Sequence, residues 1–539
     1  MISSRANKPL PTKIDEAAVV SRLLQDDLLT QAANDPERIA LIVGDVRMRY
    51  GEVAHYACRL AHALRQRGVR RGDRVVIFMS NTWHCAVSIY AVLLAGAVFV
   101  PVNAQTKADK LAFILADTDA RLLLTEANLA RIFTPAVQQQ PQVRVLCAGH
   151  AKLMPTDVEY LDDTLIDMPG TPPPSSSIAL DLAALLYTSG TTGNPKGVMH
   201  SHQSLLFVLD SINQYLKLTA DDRLFSFLPL NFGYGLCQWF SAVHVGATLV
   251  LEQSFTYPAQ VFNRMQVESV TCFAGVPTVF AMMLTLDAKQ PLSFASVRRV
   301  TSAAAALPVE FIAGIRKIFP QADLFNMYGQ TECIRIAYLE PDQLELKPDS
   351  VGCAIPGTEL LLLDEQGHPV VPGEVGYLHV RGQHLMRGYW HQPDKTAEVL
   401  LPAPIPGENL LKTGDLFRQD ADGYFYFVGR SDDIITSRGE KVSPTEVENA
   451  IYSLPAVHEV VVLGIPDPLS GHAVCAFVAA RQGEPLSEQQ IKNVCVTRLE
   501  NYMVPKHILM LPELPHTDNG KLSRQLILQQ CAELISQLD

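Results

Sequence analysis

The stretch 187–197 concentrates residue types that bind anions. Its eleven residues include three glycines, three threonines, one serine and one lysine. Glycines let backbone N–H groups approach an anion closely, hydroxyl groups donate further hydrogen bonds, and a lysine adds a positive charge. The apolar run 183–186 just before it predicts a buried strand. This combination favours a loop that wraps the phosphates of a nucleotide over the alternative, a flexible surface turn.

Two widespread motifs do not fit this loop. The pattern G-x-x-x-x-G-K-[ST] of common nucleotide-binding loops fails, because Pro195 holds the place of its second glycine. Ser189 lacks the G-x-S-x-G frame that marks a nucleophile elbow. The loop is therefore interpreted as an anion-binding element rather than as the site of a nucleophilic serine.

Four further polar stretches carry charged residues that could take part in chemistry. These residues are Glu332 in 328–332, Asp415 in 412–416, Arg430 with Asp432 in 429–435, and Lys521 in 517–524. Each has an ordinary explanation when it is considered alone. Glu332 could cap a helix, Asp415 could be a turn aspartate, and Lys521 could be a solvated charge near the end of the chain.

Taken together, these five stretches resemble the motifs of the adenylate-forming enzymes, in the order and at the approximate spacing of that superfamily. It comprises the acyl-CoA synthetases, the adenylation domains of peptide synthetases and firefly luciferase. The matches run from Tyr187 to Arg524, so the resemblance covers essentially the whole chain. The chain looks most like a stand-alone acyl-CoA ligase.

The resemblance implies a two-step reaction. A carboxylic acid attacks ATP to give an acyl-adenylate and pyrophosphate, and the acyl group then passes to the thiol of CoA, which releases AMP. The alternative is a stand-alone ligase that loads an acyl, amino or hydroxy acid onto the phosphopantetheine of a carrier protein. A catalytically silent binding protein is a third hypothesis, against which Lys521, Asp415 and Glu332 argue.

The resemblance also assigns roles to individual residues. The residues implied to bind ATP or AMP are Thr188, Ser189, Gly190, Thr191, Thr192, Gly193, Lys196, Tyr328, Gly329, Thr331, Asp415 and Arg430. Asp415 would accept hydrogen bonds from the ribose hydroxyls, as suits an acceptor-only carboxylate. Glu332 would help to hold Mg²⁺, which prefers carboxylate oxygen and is usually bound by few protein ligands plus phosphates. Lys521 would bridge the acid and the nucleotide during adenylation, and Thr188 completes the implied catalytic set.

A domain rotation about Asp432 is implied between the two steps. Lys521 then leaves the site as another face of the small domain approaches the thiol. The residues of that face are Gly439, Glu440 and Lys441. The chain departs from many acyl-CoA synthetases at Thr436, where they carry lysine, so no role in the second step is assigned to this position.

Strand-end loops near the nucleotide are expected to form the acyl pocket. Its predicted residues are Phe232, Gly233, Tyr234, Trp239, Phe273, Ser302, Ala303 and Ala304. The neighbourhood 231–234 has no carboxylate to pair with an ammonium group, and an unpaired buried ammonium is costly, so an amino-acid substrate is disfavoured. Alanines occupy most of 301–306, a loop that is commonly rich in glycine in the adenylate-forming enzymes. Their methyl groups should make the pocket narrower at this wall. We expect a small to medium acid with an uncharged tail.

Composition places the chain among globular enzymes. Of its 539 residues, 48% are hydrophobic and 19% charged, and its net charge of −12 disfavours a nucleic-acid binder. The ten cysteines form no zinc-like cluster, which suits a reducing cytoplasm. The first residues lack the apolar core of a signal peptide. The apolar run 86–102 is short for a membrane span and contains Gly96 and Pro101.

The elements that must position these residues alternate between strand and helix through the first half of the chain. Strand-like runs at 75–79, 97–102 and 122–125 flank helical patterns such as 53–67, which Gly68 would cap. This predicts an α/β fold with mostly parallel sheets flanked by helices. After residue 359, short alternating strands predict a β subdomain. We expect a large ATP- and acyl-binding domain over 1–431 and a small mobile α+β domain over 432–539.

Overall fold

Four β-sheets organise the chain. They are seen in a computed structural model that describes residues 22–150, 158–188, 195–431, 433–437, 440–467, 471–517 and 522–536. Two of the sheets are mostly parallel, one is antiparallel and one is small and mixed. The predicted α/β class is therefore confirmed.

The first sheet has seven strands and carries the start of the phosphate loop. In spatial order its strands are Val158–Tyr160, Arg144–Ala148, Leu122–Glu126, Arg74–Phe78, Val98–Val102, Leu182–Thr188 and Lys196–Ser201. The last two strands form an antiparallel hairpin, whereas the other neighbours are parallel. All five side chains of Val98–Val102 are buried, because helices cover both faces of a parallel sheet.

The second sheet has nine strands. In spatial order they are Cys353–Ala354, Ala337–Leu339, Asp323–Tyr328, Arg299–Ser302, Cys272–Gly275, Arg223–Ser226, Thr248–Leu251, Ile39–Val43 and Val46–Arg49. The six central strands run parallel, so the carboxyl ends of Arg299–Ser302 and Asp323–Tyr328 meet at one edge. Ligand-binding residues commonly gather at such an edge in open parallel sheets.

Helices pack against both sheets and share one large core with them. The helices of this region are Leu24–Asn34, Tyr50–Gln66, Trp83–Leu94, Ala108–Asp117, Ala130–Gln138, Leu161–Leu165, His202–Leu216, Gly233–Val245, Pro258–Val267, Pro277–Lys289, Val309–Ile318 and Pro393–Val399, with a 3₁₀ turn at Ala127–Leu129. The helix predicted over 53–67 begins three residues earlier, and Gly68 follows it with φ +85°, as a cap requires.

The antiparallel sheet is the predicted β subdomain. Its strands are Glu359–Leu363, Val375–Arg381, Asn409–Gln419, Leu400–Pro402 and Phe425–Arg430. Strand Asn409–Gln419 pairs with three of the others, so it is the centre of the subdomain.

The last sheet contains strands from the C-terminal part of the chain only. Its strands are Glu440–Val442, Ile435–Ser437, Gly471–Ala480, Val457–Asp467 and His507–Leu511, and its helices are Pro444–Tyr452, Glu488–Arg498, Arg524–Gln530 and Ala532–Ile535. The chain passes from the β subdomain to this sheet between Arg430 and Ile435. The domain boundary at 431–432 falls in this passage and stays a prediction.

Two composition-based predictions can be compared with the described residues. Among them, no helix combines the length and the apolar character needed to cross a bilayer. The apolar run 86–102 is divided between helix Trp83–Leu94 and strand Val98–Val102. All ten cysteines are free thiols, and nine of them are buried.

Candidate active site

The hairpin of the first sheet places Thr188 directly opposite Lys196. The connection between them contains Ser189, Gly190, Thr191, Thr192 and Gly193, which lie outside the described residues. The space at Gly197 is tight, because a Cβ atom would lie 3.1 Å from the Tyr187 ring and 3.3 Å from Trp390 Cβ. Both ends of the predicted phosphate loop are therefore held in register.

Tyr389 joins Lys196 to Glu332. The Lys196 ammonium lies 5.2 Å from the centre of the Tyr389 ring, and the Tyr389 hydroxyl donates a hydrogen bond of 2.8 Å to Glu332 Oε1. Burial, followed by the nearby Glu332 charge, raises the pKa of Tyr389 above its usual range, so this phenol is a neutral donor. The arrangement aligns a cation, an aromatic ring and a carboxylate.

A tight turn after strand Asp323–Tyr328 carries Gly329, Thr331 and Glu332. A Cβ atom on Gly329 would lie 2.4 Å from the Ile334 carbonyl oxygen, so only glycine fits this approach. The Thr331 carbonyl accepts a hydrogen bond of 2.7 Å from His200 Nε2. Burial lowers the pKa of His200 to about 4, so the imidazole is neutral and Nε2 carries its proton. His200 thereby fixes the turn from the neighbouring sheet.

Tyr328, Asp415 and Arg430 form a second cluster at the same turn. The Tyr328 hydroxyl donates to Asp415 Oδ2, and Arg430 Nε lies 3.5 Å from Asp415 Oδ1. Asp415 and Arg430 stand opposite each other on paired strands of the β subdomain. The Asp415 side chain is 7% exposed and that of Arg430 is 51% exposed, so the guanidinium lies toward solvent. Burial and the Asp415 charge raise the pKa of Tyr328 well above its usual range.

Three residues predicted for the acyl pocket lie at the start of one helix. Phe232, Gly233 and Tyr234 begin helix Gly233–Val245, and a Cβ atom on Gly233 would lie 3.3 Å from Ile334 Cδ1. The Tyr234 hydroxyl donates to the Thr301 carbonyl at 3.0 Å. The start of this helix therefore adjoins both the turn after Tyr328 and strand Arg299–Ser302. Ser302 and Ala303 are buried, and Ala304 is half-buried.

Trp239 and Phe273, also predicted for the pocket, have buried surroundings. Trp239 is fully buried, and its indole N–H donates to the Ala86 carbonyl in helix Trp83–Leu94. Phe273 is 1% exposed within its strand and packs in parallel against Phe225 on the next strand. Both side chains have core neighbours, and their place in the acyl pocket stays a prediction.

Ala304 adopts a backbone conformation that favours glycine, with φ +79°. We expect Ala304→Gly to stabilise the protein by about 1 kcal/mol, because an L-residue is strained in this region. Thermal unfolding should show a rise of about 2 °C in the melting temperature. Its neighbour Ala303 has no positive φ, so Ala303→Gly is the matched control and should lower the melting temperature. Equal shifts of the same sign would contradict this explanation.

Several predicted residues belong to the C-terminal part of the chain. Lys521, Asp432 and Gly439 lie outside the described residues, and the Lys441 side chain is likewise not described. Glu440 is exposed at the start of strand Glu440–Val442. Nearby, Arg524 forms ion pairs of 3.0 Å with both Asp433 and Glu448.

Metal binding would rest on Glu332 and bound phosphates. In the described parts of the chain, no group of three or more His, Cys, Asp or Glu residues could hold a metal ion. Glu332 is half-buried and accepts a hydrogen bond from Tyr389, and carboxylate oxygen is the ligand that a hard cation prefers. A single carboxylate fits Mg²⁺ that is otherwise bound by phosphates.

Sequence reasoning missed His200, Tyr389 and Arg335. His200 and Tyr389 contact the site across elements that are distant in the chain, so local patterns gave no signal. Arg335 did give a signal, because it is a charged residue inside the apolar run 333–339. Arg335 is only 3% exposed, and its guanidinium lies 5.3 Å from the centre of the Tyr234 ring.

Comparisons with known proteins agree with this geometry. Residues 28–390 match the family model described as AMP-binding enzyme, and residues 446–521 match the model of the AMP-binding enzyme C-terminal domain. The feruloyl-CoA synthase of Amycolatopsis sp is 32% identical over 91% of this chain and 96% of its own length. The structure of the anthranilate CoA ligase AuaEII with anthranoyl-AMP is similar with a TM-score of 0.88, at 28% identity over 96% of this chain and 99% of that one.

A much longer relative is gramicidin S synthase 2 of Brevibacillus brevis. It is 28% identical over 98% of this chain, which spans only 12% of the length of that synthase. The chain thus corresponds to nearly the whole length of the feruloyl-CoA synthase, but to only one segment of gramicidin S synthase 2.

Proposed function

The chain belongs to the AMP-binding enzyme family, and we propose from this premise that it is an AMP-forming acid–thiol ligase. A carboxylate oxygen of the substrate attacks the α-phosphorus of ATP, and the bond to the β-phosphate oxygen breaks to release pyrophosphate. The sulfur of a thiol, whose proton is lost, then attacks the acyl carbonyl carbon. The bond to the phosphate oxygen breaks, so that a thioester and AMP are released.

One observation carries this proposal. Two clusters share the turn after Tyr328: Lys196, Tyr389 and Glu332 on one side, and Tyr328 with Asp415 on the other. They combine donors for phosphate, a carboxylate for a metal and a carboxylate for ribose. Their residues come from the first sheet, the second sheet and the β subdomain, so the fold assembles complementary groups around one turn.

Phosphate positioning is assigned to the hairpin. Thr188 and Lys196, with the connecting residues 189–194, hold the β- and γ-phosphates. Glu332 would hold Mg²⁺, which when bound offsets phosphate charge. Positioning and electrostatics carry such phosphoryl chemistry, so no nucleophilic side chain is required. This agrees with the buried thiols, since burial raises the pKa of Cys237 and Cys495 to about 11.

Nucleotide recognition is assigned to the second cluster. Asp415 accepts hydrogen bonds from the ribose hydroxyls, Arg430 contacts the nucleotide, and Tyr328, Gly329 and Thr331 border it. Tyr328 supports this role because its neutral hydroxyl orients the Asp415 carboxylate.

The small domain is proposed to serve both steps. Lys521 acts during adenylation, and rotation about Asp432 then presents the strand that begins at Glu440, with Gly439 and Lys441, to the thiol. The ion pairs of Arg524 with Asp433 and Glu448 support this idea, because they tie the segment after Lys521 to the hinge region.

CoA is the proposed acceptor, and the substrate is a small-molecule carboxylic acid. Support comes from the feruloyl-CoA synthase, which this chain matches over nearly its whole length. The match to a segment of gramicidin S synthase 2 favours the alternative, a carrier-protein phosphopantetheine. A cytoplasmic location is proposed from the reduced cysteines.

A pyrophosphate-release screen across aliphatic, aromatic and amino acids tests the first step. We expect release with at least one carboxylic acid, and none in the absence of acid. If no acid supports release, the ligase proposal is wrong. Thioester formation with CoA alone, compared with CoA plus a carrier protein, then decides between the two acceptors.

A further inference from the structure

Arg335 is a buried cation for which the described residues supply no counter-ion. Its residue exposure is 3%, and its Nε atom is inaccessible to solvent and has no hydrogen-bond acceptor. Within the described ranges, no carboxylate forms an ion pair with its guanidinium and no group accepts a hydrogen bond from it. Partly buried arginines elsewhere differ, since Arg74 pairs with Asp119 and Arg299 with Asp222 at 3.1 Å.

An unpaired arginine at such a position is costly to the fold. Arginine keeps its charge in proteins, so it cannot escape burial by losing a proton. The face of the Tyr234 ring, 5.3 Å away, attracts the cation but supplies no hydrogen-bond acceptor. The planar guanidinium is built to bind a carboxylate through two parallel hydrogen bonds.

The backbone around Arg335 is closely packed and strained. Gly329 allows the Arg335 Cα atom to approach so closely that a Cβ atom at 329 would lie 2.9 Å away. Ile334, just before it, has φ +64°, which is strained for a β-branched residue. Strain of this kind persists where the surroundings over-determine the conformation, as at ligand sites.

Arg335 and Glu332 belong to one turn but contact different surroundings. Glu332 accepts from Tyr389 beside Lys196, whereas the Arg335 guanidinium lies over Tyr234 at the start of helix Gly233–Val245. The reacting carboxylate has to meet the α-phosphate beside the nucleotide-binding groups. Arg335 therefore lies beside Tyr234, a residue predicted for the acyl pocket, and not beside Lys196.

We propose that Arg335 binds a second carboxylate, at the far end of the acid substrate, so that the protein activates a dicarboxylic acid at one end. The inference rests on the proposed ligase function. It replaces the uncharged tail expected from the sequence, which was based on the aromatic residues of the pocket and did not include Arg335. The tail between the carboxylates still packs on apolar groups such as Tyr234.

Matched pairs of acids test this proposal by pyrophosphate release. Suitable pairs are hexanoate with adipate and benzoate with the three benzenedicarboxylates, assayed with the wild type, Arg335→Met and Arg335→Lys. We expect the wild type to favour the diacid of a pair by about 100-fold in kcat/KM, because a charged hydrogen-bonded pair is lost in the monoacid. Arg335→Met should reverse the preference through KM for the diacid, and Arg335→Lys should restore part of it.

Two results would overturn the inference while leaving the ligase function intact. One is a wild type that prefers the monoacid of every pair. The other is an equal loss for monoacid and diacid in Arg335→Met, which would indicate that Arg335 holds the reacting carboxylate. Absence of pyrophosphate release with every acid would instead overturn the proposed function and the inference together.

Thermal unfolding supplies a readout that does not depend on activity. Arg335→Met should raise the melting temperature without ligand, because it removes an uncompensated buried charge. Added diacid should raise the melting temperature of the wild type but not that of Arg335→Met. The matched control is Arg299→Met, which breaks a pair with buried Asp222 and should lower the melting temperature without changing the acid preference. A fall of similar size in Arg335→Met would show a structural role and overturn the proposal.

Discussion

Lys521→Ala should abolish acyl-adenylate formation and spare thioester formation from supplied acyl-adenylate. The reason is electrostatic, because the proposed role of Lys521 is to offset the charge that grows on the pentacovalent phosphate. Removing one preorganised donor of this kind costs about 10²–10³-fold in rate. Once the adenylate exists, that charge no longer develops, so the second step does not need the lysine.

Two separate assays measure the effect of Lys521→Ala. Pyrophosphate exchange reports the first step, and a single turnover of synthetic acyl-adenylate with CoA reports the second. Lys492→Ala is the matched control, because Lys492 is an exposed lysine of the same domain on helix Glu488–Arg498, and both rates should be unchanged. An equal loss in both steps would show that Lys521 supports the whole site rather than the adenylation state alone.

Asp415→Asn should raise KM for ATP and remove the ability to sense the ribose hydroxyls. The substitution keeps the shape of the side chain but replaces an acceptor-only group with an amide. It also weakens the contacts with Tyr328 and Arg430 that orient the carboxylate. Loss of a charged hydrogen bond of about 1.5–3 kcal/mol corresponds to a fall of about 10–100-fold in kcat/KM.

A comparison of ATP with 2′,3′-dideoxy-ATP isolates the ribose contact. The wild type should prefer ATP strongly, whereas Asp415→Asn should treat the two nucleotides almost equally. Asp422→Asn serves as the control, because Asp422 is an exposed acid in the neighbouring turn of the β subdomain and pairs with Lys347. A variant that loses activity but keeps the full preference for ATP would place the ribose elsewhere.

The order and types of the polar motifs were enough to predict the reaction class and the fold class. Phosphates require glycines, hydroxyls and a lysine close together in the chain, as in 187–197. The spacing of apolar residues that indicates a helix or a strand is likewise set by residues close together in the chain. Helix Trp83–Leu94 and strand Val98–Val102 were therefore predictable. Both requirements concern residues that are close together in the chain, so a short stretch of sequence is enough to reveal them.

The tertiary structure decided what those motifs contact. It brought Tyr389 between Lys196 and Glu332, and it placed His200 against Thr331 from a different sheet. It also buried Trp239, whose indole N–H donates to the Ala86 carbonyl of helix Trp83–Leu94. Sequence spacing gave no information about these neighbours, which are 57 to 193 residues apart in the chain.

Arg335 shows why some properties could be predicted from the sequence and others could not. Its charge was visible in the sequence, but the cost of that charge depends on burial and on the distance to the nearest carboxylate. Both quantities are set by elements that meet only in the folded chain: the strained turn at Ile334, the close approach at Gly329 and the ring of Tyr234. The sequence by itself determined the chemistry that the phosphate loop serves, whereas the tertiary structure decided which charge remains for the substrate to neutralise.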